Sequence, residues 1–262
     1  MPDEFRRAAL PLDEQGLDEV VGLLGSGMAE LWAVLSVETR GCGFQQDRRP
    51  IILFERHVFS QQTGGRFDAT HPQISNRQAG GYGSGGDSQY RKLAQAMTLD
   101  RRAALHSCSW GLGQVMGYHA RSLGYADVED MVRQMCDSEN AQLMAMARFL
   151  RLNRLDAALR RHDWASFARG YNGPAYAKNS YDVRLRAAFE RYRVGLLPDV
   201  GLRAAQMMLT WLGYEPGPVD GVMGRFTRSA IIEFQFTHEL PISDEVDEAL
   251  LSALHRAVRQ LP

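Results

Sequence analysis

Residues 31–43 read LWAVLSVETRGCG, an apolar run that ends on Glu38 and is then interrupted by Gly41 and Gly43. Taken as a helix over 28–39, this stretch places Glu38 on the stripe of Leu31, Val34 and Leu35, so its carboxylate points along the apolar face and not into water. Glu38 also falls in the last turn, with Gly41 expected as the C-cap beyond it. Desolvation and the negative end of the helix dipole both disfavour the anion there. A carboxyl that holds its proton is suited to general-acid catalysis. The alternative is a frayed helix end that exposes Glu38, and position alone does not choose between them.

Outward from this stretch, apolar residues recur at intervals of three and four near 17–39, 89–106, 111–121, 125–150, 154–161, 163–170 and 179–193, the spacing of amphipathic helices. Between Cys42 and Gln89 the pattern changes. PIILFERHVF (50–59) runs and alternates as a strand does, and QAGGYGSGGDSQ (78–89) is a glycine-rich loop. The fold class expected is mainly α, a helical domain over 1–195 with a small β insert. RVGLLPDVG (193–201) then reads as a connector to a second unit over 200–262.

In that second unit Leu202, Ala205, Met208, Leu209 and Leu212 mark one helix face. Ala230, Ile231 and Phe234 mark a second, and Val246, Leu250 and Leu254 a third, which together predict a C-terminal three-helix bundle. Thr227 is the expected N-cap of the middle helix. The stretch carries Gln206, Leu212, Gly213, Tyr214, Gly217, Asp220, Gly221, Gly224, Thr227, Ala230, Ile231, Phe234 and Gln235 in order. With these it resembles the three-helix peptidoglycan-binding domain, a resemblance that covers about sixty residues. It implies wall binding, with Tyr214, Asp220, Gly221 and Thr227 as the candidate contacts.

Composition sets the outer limits. The chain has 262 residues, 45% apolar and 23% charged, with a formal net charge of −1. That is ordinary globular chemistry, with no field to recruit nucleic acid or anionic lipid. Cys42, Cys108 and Cys136 are too few and too irregularly spaced for a disulfide framework or a zinc site. His57 has no His-Glu-x-x-His context, so no metal is expected. The opening MPDEFRRAALPLDEQG lacks the apolar core of a secretory signal, and no segment reaches about 18 consecutive apolar residues.

A helix that ends on a glutamate, a small β region with a glycine-rich loop, and further helices together resemble the lysozyme-like superfamily. AVLSVETRGCGF, RRPIILFERHVF, YRKLAQAM, AALHSCSWGLGQVMG and FARGYNGPAYAKNSYD follow one another in that order. On these motifs residues 17–193 are similar to the phage-type N-acetylmuramidase domain. The resemblance implies hydrolysis of the β-1,4 bond after N-acetylmuramic acid, with Glu38 as the acid facing a sugar-binding cleft. A muramidase of this kind needs no organic cofactor either. Glu55, read on a strand with Ile51 and Leu53, stands where the family carries a glutamate and is the second catalytic candidate. Its structural alternative is a salt bridge to an arginine such as Arg40 or Arg91, and Asp47 and Asp87 are rival second carboxylates. Whether the mechanism retains or inverts depends on the carboxyl separation.

In SWGLGQVMG (109–117), Gly111 and Gly113 would let a ligand approach the backbone, and Gln114 offers a donor and an acceptor to sugar groups. Trp110 is either a stacking surface or core. The segment resembles the Ser-x-Gly-x-x-Gln element of lysozyme-like folds, which makes Ser109, Trp110, Gly111 and Gln114 substrate-binding candidates. YNGP (171–174) reads as a turn that the resemblance places at the cleft, adding Tyr171 and Asn172.

The whole implies a monomeric endolysin for host cell lysis with peptidoglycan as its partner, made in the host cytoplasm and acting on the periplasmic wall after holin-dependent release. A lytic transglycosylase giving 1,6-anhydro products and a non-catalytic wall-binding or phage structural protein are the alternatives. The C-terminal unit is expected to act as a tether whose loss leaves soluble glycan fragments cleaved as before.

Overall fold

The computed structural model describes residues 3–39 and 41–261. Its elements in chain order are α1 (Glu14–Leu24), α2 (Met28–Glu38), β1 (Ile52–Phe54), α3 (Arg56–Gln62), α4 (Asp87–His106), β2 (Cys108–Trp110), β3 (Val115–Met116), α5 (Val128–Asp137), α6 (Glu139–Leu152), α7 (Leu155–Arg160), α8 (Trp164–Asn172), α9 (Tyr181–Val194), α10 (Val200–Trp211), α11 (Arg225–Thr237) and α12 (Glu248–Arg259). The fold is mainly helical with one small sheet, as the periodicity predicts. Of the described residues, those within 1–10 and 43–154 form one compact unit and those within 11–42 and 155–262 another.

In the first unit the three strands pair antiparallel in the order β1-β2-β3, with Ile52 opposite Trp110 and Trp110 opposite Val115. Helix α4 packs on β1 and α3. The core forms around Phe5, Phe54, Tyr90, Leu93 and Trp110. The Phe5 ring lies 5.6 Å from Tyr90 and 5.7 Å from Trp110. Three expectations change here. The run at 50–59 is a strand only to Phe54, and Val58 and Phe59 are buried from helix α3 instead. The helix expected over 111–121 is β3 followed by two 3-10 turns, because Gly111 at φ +65° and Gln114 at φ +47° take left-handed backbone that an α-helix does not admit. The helix expected over 125–150 breaks at Ser138, whose extended backbone and hydroxyl, accepting from Ala141 N at 3.1 Å, start α6.

In the second unit the stretch 17–39 is two helices, because Gly25 closes α1 in the left-handed conformation. Helix α2 packs mainly along α9, with α8 also on α9. His162 bonds Glu30 Oε1 at 2.7 Å and stacks beside Trp164 and Phe189. The bundle of α10, α11 and α12 closes over Leu209, Ile231, Phe234 and Leu254, all fully buried. Asp199 caps α10 through Leu202 N at 2.7 Å, and its own N–H donates to Gly221 O at 3.0 Å. The end of the predicted connector is therefore fastened to the bundle.

Candidate active site

Glu38 is the last residue of α2, beyond the buried run Leu31, Trp32, Ala33, Val34 and Leu35. The C-cap is Thr39, not Gly41. Thr39 directs both its N–H (3.1 Å) and its hydroxyl (2.6 Å) to Leu35 O, so a side chain satisfies the helix end where a glycine was expected. The Glu38 carboxyl is half-buried and accepts from Asn172 Nδ2 at 2.9 Å. Burial holds its pKa above the ordinary glutamate value, while the Asn172 bond and the Arg184 charge pull the other way. Tyr171 and Asn172 come from the last turn of α8, which Gly173 terminates at φ +80°. The Tyr171 ring stacks on Phe167 at 5.8 Å, and burial, then the Glu38 charge, push its phenol up. The second unit thus brings together the Glu38 carboxyl, the Asn172 amide bonded to it and the Tyr171 phenol.

Glu55 lies in the first unit at the β1–α3 junction, as the N-cap of α3 and not on the strand. Its carboxylate is 15% exposed, and Oε2 lies 3.1 Å from His57 Nδ1. Neither atom has an aligned hydrogen-bond partner among the described residues. Arg40, one suggested partner, lies outside the described residues. Burial and then the neighbouring Glu55 carboxylate push the Tyr82 phenol up. The loop carrying Tyr82 is pinned: Lys92 Nζ donates to Gly81 O and Tyr82 O, each at 2.6 Å, and Gln89 Nε2 to Tyr82 O at 2.8 Å. The rival carboxylates are committed elsewhere. Asp47 bonds the buried Arg49 at 2.5 Å, and Asp87 pairs with the same guanidinium.

The 109–114 segment is built more for packing than the sequence suggests. Trp110 is 0% exposed and donates from Nε1 to Leu105 O at 3.2 Å, so it is core and offers no face to a sugar. Gly111 is required where it stands, since a Cβ there would meet Gln142 at 2.5 Å. Ser109, itself buried, donates to Gln114 Oε1 at 2.8 Å, and Gln114 Nε2 returns to Gly111 O at 2.8 Å and Ile51 O at 3.1 Å. Of this group only Gln114 is exposed.

The bundle motif is likewise mostly internal. Gln206 Oε1 accepts from Asp220 N (3.0 Å) and Gly221 N (2.8 Å), and its Nε2 reaches Asp220 Oδ1 and Thr227 Oγ1. Thr227 is 2% exposed and donates to Pro216 O at 2.7 Å. It does not cap α11, whose N-cap is Gly224. Asp220 is exposed and Tyr214 half-buried, its ring 5.8 Å edge-on to Phe234.

Three residues acting on the two carboxylates were not singled out by sequence: Arg184, His57 in this capacity, and Tyr82. Only Tyr82 carried a signal, as the one aromatic in a run of glycines. Among the described residues no three His, Cys, Asp or Glu side chains group to hold a metal, and no single helix is long and apolar enough to cross a membrane.

A sequence model of the N-acetylmuramidase family matches residues 27–193, and a model of a peptidoglycan binding domain matches residues 199–254. Among solved structures, the crystal structure of the Burkholderia AP3 phage endolysin matches with 42% sequence identity and a TM-score of 0.67, over 72% of this chain and 73% of that one. No curated protein matches.

Proposed function

Because this chain belongs to the N-acetylmuramidase family and carries a peptidoglycan binding domain after the muramidase region, we propose that it is an endolysin that cleaves the β-1,4 bond between N-acetylmuramic acid and N-acetylglucosamine. It is a glycoside hydrolase of the lysozyme type with a lysozyme-like fold. The observation that carries the finer reading is the Glu38 carboxyl, desolvated at the end of α2 and held by Asn172. Protonated, it donates to the glycosidic oxygen as an oxocarbenium-like transition state develops. Water completes the hydrolysis, and Glu55 is the candidate for the second carboxylate that assists it.

The division of labour follows the two matched regions. Residues 1–195 hold the chemistry, and residues 200–262 hold the wall, raising the local concentration of an insoluble substrate. Asp220 and Tyr214 are the contacts open enough to serve; Gly221 and Thr227 support them from inside. The protein acts as a monomer on the host wall after release from the host cytoplasm.

Mass spectrometry of digested sacculi tests the reading. New reducing ends on N-acetylmuramic acid are the expected product. Products ending in 1,6-anhydro sugar would instead make this a lytic transglycosylase, and intact glycan with bound protein would make it a wall-binding protein.

A further inference from the structure

Helix α10, which belongs to the peptidoglycan binding region, presents Arg203 inward, 2% exposed despite its charge. Its Nη2 donates to the carbonyl of Gly41 at 2.6 Å. Gly41 N–H donates to Thr39 Oγ1 at 3.3 Å, and that hydroxyl donates to Leu35 O at 2.6 Å, inside the last turn of α2. A continuous line of hydrogen bonds thus runs from the wall-holding region to the turn that carries Glu38. The approach is close on the backbone side too. Gly41 sits at φ +95°, and a Cβ there would lie 3.0 Å from Val219 O, in the loop between α10 and α11. A buried guanidinium is retained only where its hydrogen bonds are met, and here one of them fixes the chain leaving α2.

We propose that Arg203 is a positioning residue for the candidate acid Glu38, so that the C-terminal region sets the geometry of the acid as well as holding the wall. This rests on the reading of Glu38 as the general acid. Arg203 acts at a distance, through Gly41 and Thr39, by keeping the end of α2 wound and the carboxyl where α8 supplies Asn172 and Tyr171 and α9 supplies Arg184. A region acting only as a tether would leave turnover of a soluble substrate untouched.

The test uses the full chain with Arg203→Met and Arg203→Lys, measured on a soluble, uncrosslinked glycan-strand oligosaccharide, with co-sedimentation on sacculi alongside. For Arg203→Met, kcat should fall about 10-fold, inside the roughly 100-fold that a 1 Å misplacement can cost, while KM and co-sedimentation stay as in the wild type. The high-pH limb of kcat should move to lower pH as water reaches Glu38 and its proton is lost more easily. Arg203→Lys should recover part of kcat, since an ammonium can donate to the same carbonyl. A folded Arg203→Met chain with wild-type kcat and limb, or one whose only change is a lower melting temperature, would overturn the proposal. If Arg203→Met does not fold, Thr39→Val removes the relay hydroxyl without touching α10. The same loss of kcat supports the relay, and unchanged kcat removes it. A wild-type chain that leaves the oligosaccharide intact would defeat the reading of Glu38 and this proposal together, whereas an active wild type with unaffected variants defeats the role of Arg203 alone.

Discussion

Glu38 closes helix α2 and Glu55 opens helix α3, so the same side chain meets opposite ends of a helix dipole. At the end of α2 the dipole and the loss of water both act against the anion, and one amide bond from Asn172 only partly offsets them. At the start of α3 the nearest ring nitrogen, on His57, lies 3.1 Å from the Glu55 carboxylate. Two glutamates of equal intrinsic chemistry thus stand in different settings, one at the end of a helix and one at the start of another. Setting two carboxyls apart by environment is a general way to assign acid and partner roles.

The largest expected effect separates the two most sharply. Glu38→Gln should lose at least about 100-fold in rate, the scale of general-acid catalysis, in a protein that melts no lower than the wild type. The sign follows from linkage: a carboxyl whose folded pKa is raised costs native stability as pH rises through that value, and the amide does not. Retained cleavage by a folded Glu38→Gln chain removes this residue from the mechanism. Glu55→Gln comes next. If Glu55 is the second carboxylate, activity falls about 100-fold with little change in melting temperature, the low end of the range for acid–base groups. If it is instead a structural partner of the partly exposed His57, activity per folded molecule holds and stability drops by about 1 kcal/mol.

Two smaller effects sharpen the account of Glu38. Removing the Asn172 amide takes away a bond that lowers the Glu38 pKa, so Asn172→Ala should move the high-pH limb of kcat to higher pH. Arg184→Met should move the limb in the same direction by less, since its charge is the weaker of the two lowering influences. A limb that moves down in either variant contradicts the assignment of that limb to Glu38.

Much of this was open to reading from the chain, for physical reasons that differ by region. Glu38 was legible because a carboxylate on an apolar stripe is locally unfavourable and therefore conspicuous. The bundle was legible because Gln206 ties Asp220, Gly221 and Thr227 into one hydrogen-bonded knot, which fixes their spacing. Trp110 was not settled, because core and sugar-stacking tryptophans look alike until burial is known. The 111–121 segment misled because Leu112, Val115 and Met116 have helical spacing, whereas the decisive quantity is the positive φ of Gly111 and Gln114. Glu55 misled because Phe54, Val58 and Phe59 suit a strand as well as a strand passing into a helix. The bond from Arg203 to Gly41 joins residues 162 positions apart, and no local pattern announces it.

The proton that burial holds on Glu38 beyond the range of an ordinary glutamate can be followed directly. In full-length protein with 13C-labelled glutamate carboxyls, the Glu38 resonance is identified by its absence from the Glu38→Gln spectrum and followed through a pH titration. The midpoint should lie above the ordinary glutamate value of about 4.3 and move higher still in Asn172→Ala. A midpoint at or below that value would contradict this expectation.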